Sequence, residues 1–356
     1  MDAKPIITTG AEYHWKTSYD RDRMDGHFLD WENQPNPFKK YAGIQAIPLM
    51  TVSRFPENSL WDLTSQPVNR PDLKTLNRDQ ISQLLYLTGG ITAKSRQAGK
   101  DFYYRSVASA GALYPAEMYV GIFDAKNLEP GIYHFGADDF ALTPLRSGSF
   151  LNEIRRTLSE NRHLSASFFL TGIFFRSAWK YRARAFRYVL LDSGHLLENL
   201  ILALASVELA FTCHYDFNDE KVGRLIGLDG RREVGLVCVN VLGKPLPATQ
   251  VPVSQDIMAV DPLPAETIAA DRVSRREMVY DDILEIYRAG IQEPASDRVQ
   301  VTMFNNIGVR PTSWVPIEKS NADSEERSYA QSVLYRRSKR NYINQSLSKK
   351  KFMRLL

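Results

Sequence analysis

The run Arg105-Ser-Val-Ala-Ser-Ala-Gly-Ala-Leu-Tyr-Pro115, followed by Glu117-Met-Tyr-Val-Gly-Ile-Phe123, decides how this chain is read. The second part is apolar, aromatic and free of breakers, and reads as a strand. The first part fits no regular element. Small residues fill Ala108 to Ala112, and Pro115 closes the run, which is the chemistry of a tight loop. Such a loop lets the backbone approach a flat ligand, with Ser109 offering a hydroxyl. It is equally the ordinary entry to a strand.

The pattern extends outward on both sides. Upstream, Leu76 to Leu87 reads as a helix, with Asn77 as N-cap, Gln80 three residues on, and Gly89-Gly90 as its end. Downstream come a Pro130-Gly131 turn, short strands over Ile132 to Phe135 and Phe140 to Leu145, and a helix over Phe150 to Glu160. Leu164 to Phe175 is apolar but shorter than the ~20 residues that span a bilayer, so it reads as a buried strand. Arg187 to Thr212 holds Asp192, His195, Glu198 and Glu208, while Leu190, Leu197, Ile201 and Leu204 share one face. This is a buried amphipathic helix. Gly194 would let another helix approach it, in ordinary packing or at a domain interface. Asn218 to Ile226, closed by Gly227, is a further helix, and Glu233 to Val241 a strand. The mixed order predicts an α+β fold, a mixed or antiparallel sheet flanked by helices.

The 356 residues allow about two domains. Two cysteines 25 residues apart form no redox pair, and the six histidines lack metal-ligand spacing, so no metal is expected. There is no Walker motif and no G-x-G-x-x-G. Net charge is +4, but Arg336 to Leu356 carries eight Lys/Arg and no acid, leaving −4 on the first 335 residues. The basic balance belongs to the tail, not to a nucleic-acid-binding body. The start, MDAKPIITTG, lacks a basic and then apolar leader, and a cytoplasmic, non-membrane protein is expected. Composition divides the chain into an irregular Pro-containing arm (1–75), a principal domain (76–245), a Pro-rich linker (246–328) with a helix at Arg275 to Arg288, and a new helical start (329–356).

Two further motifs carry chemistry. In Trp179-Lys-Tyr-Arg182, Lys180 and Tyr181 are adjacent proton donors suited to acid–base work. The plainer reading is a basic cluster pairing Asp192 or Glu198. Arg336-x-Ser338-x-Arg340 suits a phosphate, or is a solvated basic run.

Taken together, these motifs resemble the nitroreductase superfamily, in particular the SagB/ThcOx-type dehydrogenases. The resemblance covers roughly 76–245. It rests on Ser109 to Pro115 with Glu117, Gly131-Ile-Tyr-His134, Trp179-Lys-Tyr181, Arg187-Tyr188, Asp192-Ser-Gly-His195 with Asn199, Phe217-Asn-Asp219, and Leu225 to Gly230 with Glu233. It implies an α+β sandwich and a dimer, or a pseudo-dimer within a tandem chain, with FMN at the interface. It also implies oxidation of an azoline-like ring in a peptide or other natural product. By resemblance Ser109, Ala110 and Gly111 lie against the flavin, and Lys180 and Tyr181 are the catalytic pair. Lys244, Arg336, Ser338 and Arg340 are the expected phosphate ligands. The usual R-x-S-x-R is absent upstream of Leu76 and stands at Arg336 to Arg340, so the chain reads as a tandem protein cut early in its second domain. Ala108 replaces a usual Pro, and Glu208 to Cys213 replaces a Gly-rich stretch. An NAD(P)H-dependent nitroreductase or quinone reductase, and a non-catalytic dimerisation half, are the competing expectations.

Overall fold

The structure, a computed structural model, describes residues 6–19, 26–65, 75–97, 99–244, 260–269, 272–291, 327–339, 341–349 and 352. In chain order the elements are α1 (Gly10–Lys16), β1 (Ile47–Pro48), α2 (Leu60–Ser65), β2 (Leu76–Asn77), α3 (Arg78–Gly89), β3 (Ile91–Gln97), β4 (Lys100–Arg105), β5 (Ala116–Ile122), β6 (Ala125–Lys126), β7 (Gly131–Gly136) and β8 (Ala141–Ser147). Then follow α4 (Leu151–Thr157), β9 (Leu164–Ile173), α5 (Phe174–Tyr181), α6 (Ala185–Ser206), β10 (Phe211–His214), α7 (Asp219–Ile226), β11 (Glu233–Leu242), α8 (Ala265–Ala269), α9 (Asp281–Gly290) and α10 (Tyr329–Tyr335).

Local signals set the helix ends. Asn77 Oδ1 accepts from the Gln80 N–H at 2.8 Å, and Gln80 Oε1 accepts from the Asn77 N–H at 3.1 Å. Two donors that α3 would leave orphaned are thus satisfied, a cap of about 1 kcal/mol. Asn218 caps α7 in one direction only, its Oδ1 accepting the Lys221 N–H at 2.9 Å, and Gly227 ends α7 at φ +81°, a left-handed conformation that costs glycine little.

Seven strands form one sheet in the order β1-β8-β7-β5-β9-β11-β10, every adjacent pair antiparallel. β9 sits centrally, between β5 and β11, with all ten residues buried. Its side chains serve both faces. Phe168 and Leu170 join Met118, Val120 and Val239 against Leu84 and Leu85 of α3 and Leu196 and Leu200 of α6. Phe169 joins Tyr119 and Cys238 against Ile154 of α4 and Leu225 of α7. Helices therefore cover both faces, which is why β9 reads as an unbroken apolar run. Truncating Phe168 to Ala removes a buried ring worth roughly 3–5 kcal/mol. The fold is α+β with a mostly antiparallel sheet, as the order of elements predicts.

Several features depart from the sequence reading. Ile91 to Arg105 forms a hairpin, β3–β4, that was not expected. The apolar stretch Phe174–Ser206 meets the length and composition of a membrane span, yet half of its apolar window is buried in the fold. It also breaks at Arg182 (φ +49°) into α5 and α6. The arm, expected to wrap the surface, buries Lys39. Its ammonium contacts Glu233 Oε2 at 2.5 Å and the Tyr119 hydroxyl at 2.7 Å. Tyr119 and Thr171 donate to Glu233 Oε1 at 3.0 and 2.5 Å, so the buried charge is paired and bonded. Finally, α10 packs on the principal domain: Tyr329, Ala330 and Val333 are buried in the same core as α3 and α6. The Tyr329 hydroxyl donates to Asn199 O at 3.2 Å, and its N–H to Asn58 O at 2.8 Å. Most of the expected linker lies outside the described residues.

Candidate functional site

The register puts three segments at one end of the sheet. Ala116 pairs with Gly172, and Ile173 with Glu233. The Ser106–Pro115 loop therefore leaves β5 where β9 runs into α5, and α5 turns at Tyr181 into α6. Loop and corner meet without any long connection.

The loop is held in a demanding conformation. Gly111 has φ +69°, and Ala112 and Tyr114 stand at +55° and +46°. Non-glycine residues in that region cost of order 1–3 kcal/mol each unless their surroundings enforce it. The surroundings do so from three directions. From α6, Asp192 accepts the Ser109 hydroxyl at 2.5 Å and the Ala110 N–H at 3.1 Å. Ser109 Oγ in turn accepts the Tyr114 N–H at 2.8 Å. From α5, fully buried Arg176 donates to Tyr114 O at 2.9 Å and Glu117 Oε1 at 2.5 Å. From the tail, Arg336 donates to the carbonyls of Arg105, Ser106 and Val107 at 3.0–3.2 Å.

Beneath the loop, Glu117 also contacts His134 Nε2 at 3.0 Å. Burial alone would raise its carboxyl, but Arg176, His134 and Arg105 outweigh burial and hold it below the usual carboxylate range. Asp192 goes the other way. Burial raises its carboxyl, and the bonds from Ser109 and Ala110 offset this only in part.

At the tip of the loop, Lys180 and Tyr181 converge. A methyl group on Gly111 would stand 3.0 Å from the Tyr181 hydroxyl and 3.2 Å from Lys180 Nζ. Both side chains are half-buried. Tyr181 stacks on Tyr188 with centroids 3.9 Å apart, and the Tyr188 hydroxyl lies 3.3 Å from that of Tyr19 in the arm. Trp179 fixes the end of α5 by donating to Asp30 O at 2.7 Å, and His27 Nε2 meets the Lys180 carbonyl at 3.0 Å. A cation and a phenol thus face a patch of small residues, an arrangement able to move a proton beside a planar ring.

The structure brings Lys180, Tyr181, Ser109, Ala110 and Gly111 together, and corrects one role. The Ser109 hydrogen expected to meet a ligand is donated to Asp192. Asp192 accordingly answers the loop, not the basic cluster. The remaining expected ligands are not assembled. Arg336 is committed to backbone carbonyls, Ser338 is exposed, and Arg340 lies outside the described residues. Lys244 is exposed past the far end of β11, whose ten residues at roughly 3.3 Å each put it about 30 Å from the loop. Gly111 lacks the Cβ that would crowd Tyr181 and Lys180, so the small residues and the pair come together at the loop. Among the described residues, the expected phosphate ligands Arg336, Ser338 and Lys244 do not come together there. Nothing within 4 Å faces a Cβ placed on Gly194, so among the described residues no helix packs there. Sequence reasoning missed the roles of Asp192 and Lys39. The signal for Asp192 was a lone acid on the buried face of an apolar helix.

No family model matches the chain. It is 28% identical over 226 residues to the trifolitoxin-processing protein TfxB of Rhizobium leguminosarum bv. trifolii, covering 59% of this chain and 60% of that one. It is 27% identical over 142 residues to the microcin B17-processing protein McbC of Escherichia coli, 37% of this chain and 52% of McbC. The chain thus spans about half to three-fifths of these relatives. Among solved structures, a protein of Anabaena variabilis described as a nitroreductase superposes with a TM-score of 0.57 at 27% identity, over 80% of this chain and 55% of that one. With the antiparallel sheet, the small-residue loop and the Lys180-Tyr181 corner, these likenesses support a nitroreductase-superfamily protein of the SagB/McbC type.

Proposed function

We propose that the protein is an FMN-dependent oxidoreductase that dehydrogenates an azoline-like ring in a modified peptide or other natural product. The observation that carries this reading is the convergence of Lys180 Nζ and the Tyr181 hydroxyl on Gly111. The printed roles of TfxB and McbC, both peptide-processing proteins, support the substrate class. Bound FMN supplies a two-electron acceptor for hydride. The chain's own residues handle the rest. Ala110, Gly111 and Ala112 present only small groups to a planar ring. The proton released as the substrate ring becomes aromatic passes to water through the Tyr181 hydroxyl, which gives up its own proton as it takes the new one, while the Lys180 ammonium beside it stabilises the charge that builds on the phenol oxygen. The arm, through Trp31 against Trp179 and Tyr19 against Tyr188, holds the pair and limits the entry of water.

Neither Arg336 nor Lys244 is offered to a phosphate at the loop. We infer that a second copy of the chain supplies the missing cations across the exposed face of α6 around Gly194. Of the competing readings, a non-catalytic dimerisation half is the one that a specific observation favours: Arg336 is committed to backbone carbonyls.

Lys180→Ala and Tyr181→Phe test the assignment. Each should lower conversion of a thiazoline-bearing peptide, followed as loss of two hydrogens by mass, roughly 10²–10⁴-fold while leaving flavin content intact. Wild-type turnover in both variants, or a wild-type protein that neither carries nor binds FMN, refutes it.

A further inference from the structure

We propose that Asp192 is a positioning residue, which sets the Ser109–Tyr114 turn so that Gly111 faces Lys180 and Tyr181; this rests on reading that pair as the reacting groups.

The argument starts from the backbone. Three of the turn's residues, Gly111, Ala112 and Tyr114, are left-handed, two of them without glycine's freedom. A chain in that state relaxes unless it is held. Asp192 holds it with both carboxylate oxygens. Oδ2 takes the Ser109 hydroxyl, Oδ1 the Ala110 N–H, and Ser109 Oγ passes the restraint to the Tyr114 N–H. One side chain therefore ties the first, second and last residues of the turn. Asp192 is 5% exposed, on a helix where Val189, Ser193, Leu196 and Leu197 are also buried. It bonds the turn and forms no Lys or Arg ion pair among the described residues. An apolar residue would serve packing better at that depth. What an aspartate adds is two acceptors at fixed separation, the number the turn requires.

No other residue type of this length places two acceptor oxygens there. With asparagine's one oxygen on the Ala110 N–H, its NH₂ faces Ser109 Oγ as a donor, and the Ser109 hydrogen loses its acceptor. Leucine keeps the volume and neither bond. These two substitutions grade the restraint while leaving the helix long and buried.

The test uses the full chain as wild type, Asp192→Asn, Asp192→Leu and Ser109→Ala. Amide hydrogen exchange is followed on peptides covering 106–115, β9 and α6, and FMN affinity by quenching of flavin fluorescence. Exchange in 106–115 should rise at least tenfold in Asp192→Leu and Ser109→Ala and less in Asp192→Asn, with β9 and α6 unchanged. The FMN dissociation constant should rise in the same order. Wild-type protection of the turn in these variants overturns the proposal, as does loosening of β9 and α6 in step with the turn. Should Asp192→Leu fail to fold, Asp192→Asn and Ser109→Ala decide. A wild-type chain that binds no FMN refutes the flavin reading instead, and the exchange data still judge Asp192.

Discussion

Two buried carboxylates flank the same turn, and they are built on opposite electrostatics. Glu117, below the turn, stands among Arg176, Arg105 and His134, and is held ionised. Asp192, beside it, is anchored by a hydroxyl and an amide, and burial pushes its carboxyl up. Each is 5% exposed. Depth alone therefore does not set the state of a carboxylate; the charge of its partners does. The Glu117 side, with Arg336 gripping the carbonyls of 105–107, carries the load of the fold. The Asp192 side shapes the surface at Gly111.

The contrast has measurable edges. Glu117→Ala should be the most damaging change, because it leaves fully buried Arg176 without its carboxylate, at a cost of about 3–5 kcal/mol. Denaturant midpoints measure this, and a loss under about 1 kcal/mol would erase the distinction between the two sides. Arg336→Ala should come next. It removes three bonds to backbone carbonyls, worth about 2 kcal/mol in all, and should weaken FMN affinity less than Asp192→Leu does. A collapse of FMN affinity with stability intact would return Arg336 to the phosphate. Asp192→Asn should be mildest in stability, within about 1 kcal/mol of wild type, since it trades one bond for relief from burying charge.

Acidity separates the same pair. Glu117 is lowered in the folded state, so its contribution is present above the ordinary carboxylate value of 4.5 and is lost as pH falls below it. Asp192 is raised, so its contribution is fullest below 3.8 and is lost as pH rises through its folded value. Melting temperature against pH should therefore fall on the acid side in wild type and in Asp192→Asn alike. The Asn variant should lack the component that declines as pH rises from 3.8. An acid limb that persists unchanged in Glu117→Gln would show that other carboxylates govern it.

Much of this was legible in the sequence, because the signals were local. Asn77 with Gln80 places the start of α3, Asn218 and Gly227 bracket α7, and the apolar run from Leu164 is β9. The small-residue loop and the Lys180-Tyr181 corner were visible as residue types. What escaped depends on partners far along the chain. Lys39 looks like any surface lysine until Glu233 and Tyr119 close around it. Arg336 suits a phosphate by type, and only the fold brings it to three carbonyls. Ser109 offers a hydroxyl in any loop, and only α6 shows where its hydrogen goes. The break between α5 and α6 rests on one residue, Arg182, at positive φ, which composition does not disclose.

The grip of Arg336 on the loop also has a temporal side. It joins positions 230 residues apart, so during synthesis the loop emerges long before the residue that clamps it. At about 5–20 residues per second the interval is roughly 10–50 s. Through that time the sheet can form while carbonyls 105–107 rely on water, and the strained turn waits on Asp192 and Arg176 alone. The clamp on the loop therefore closes only once residue 336 has been made, and a nascent chain stalled before it carries a folded sheet under an unclamped loop.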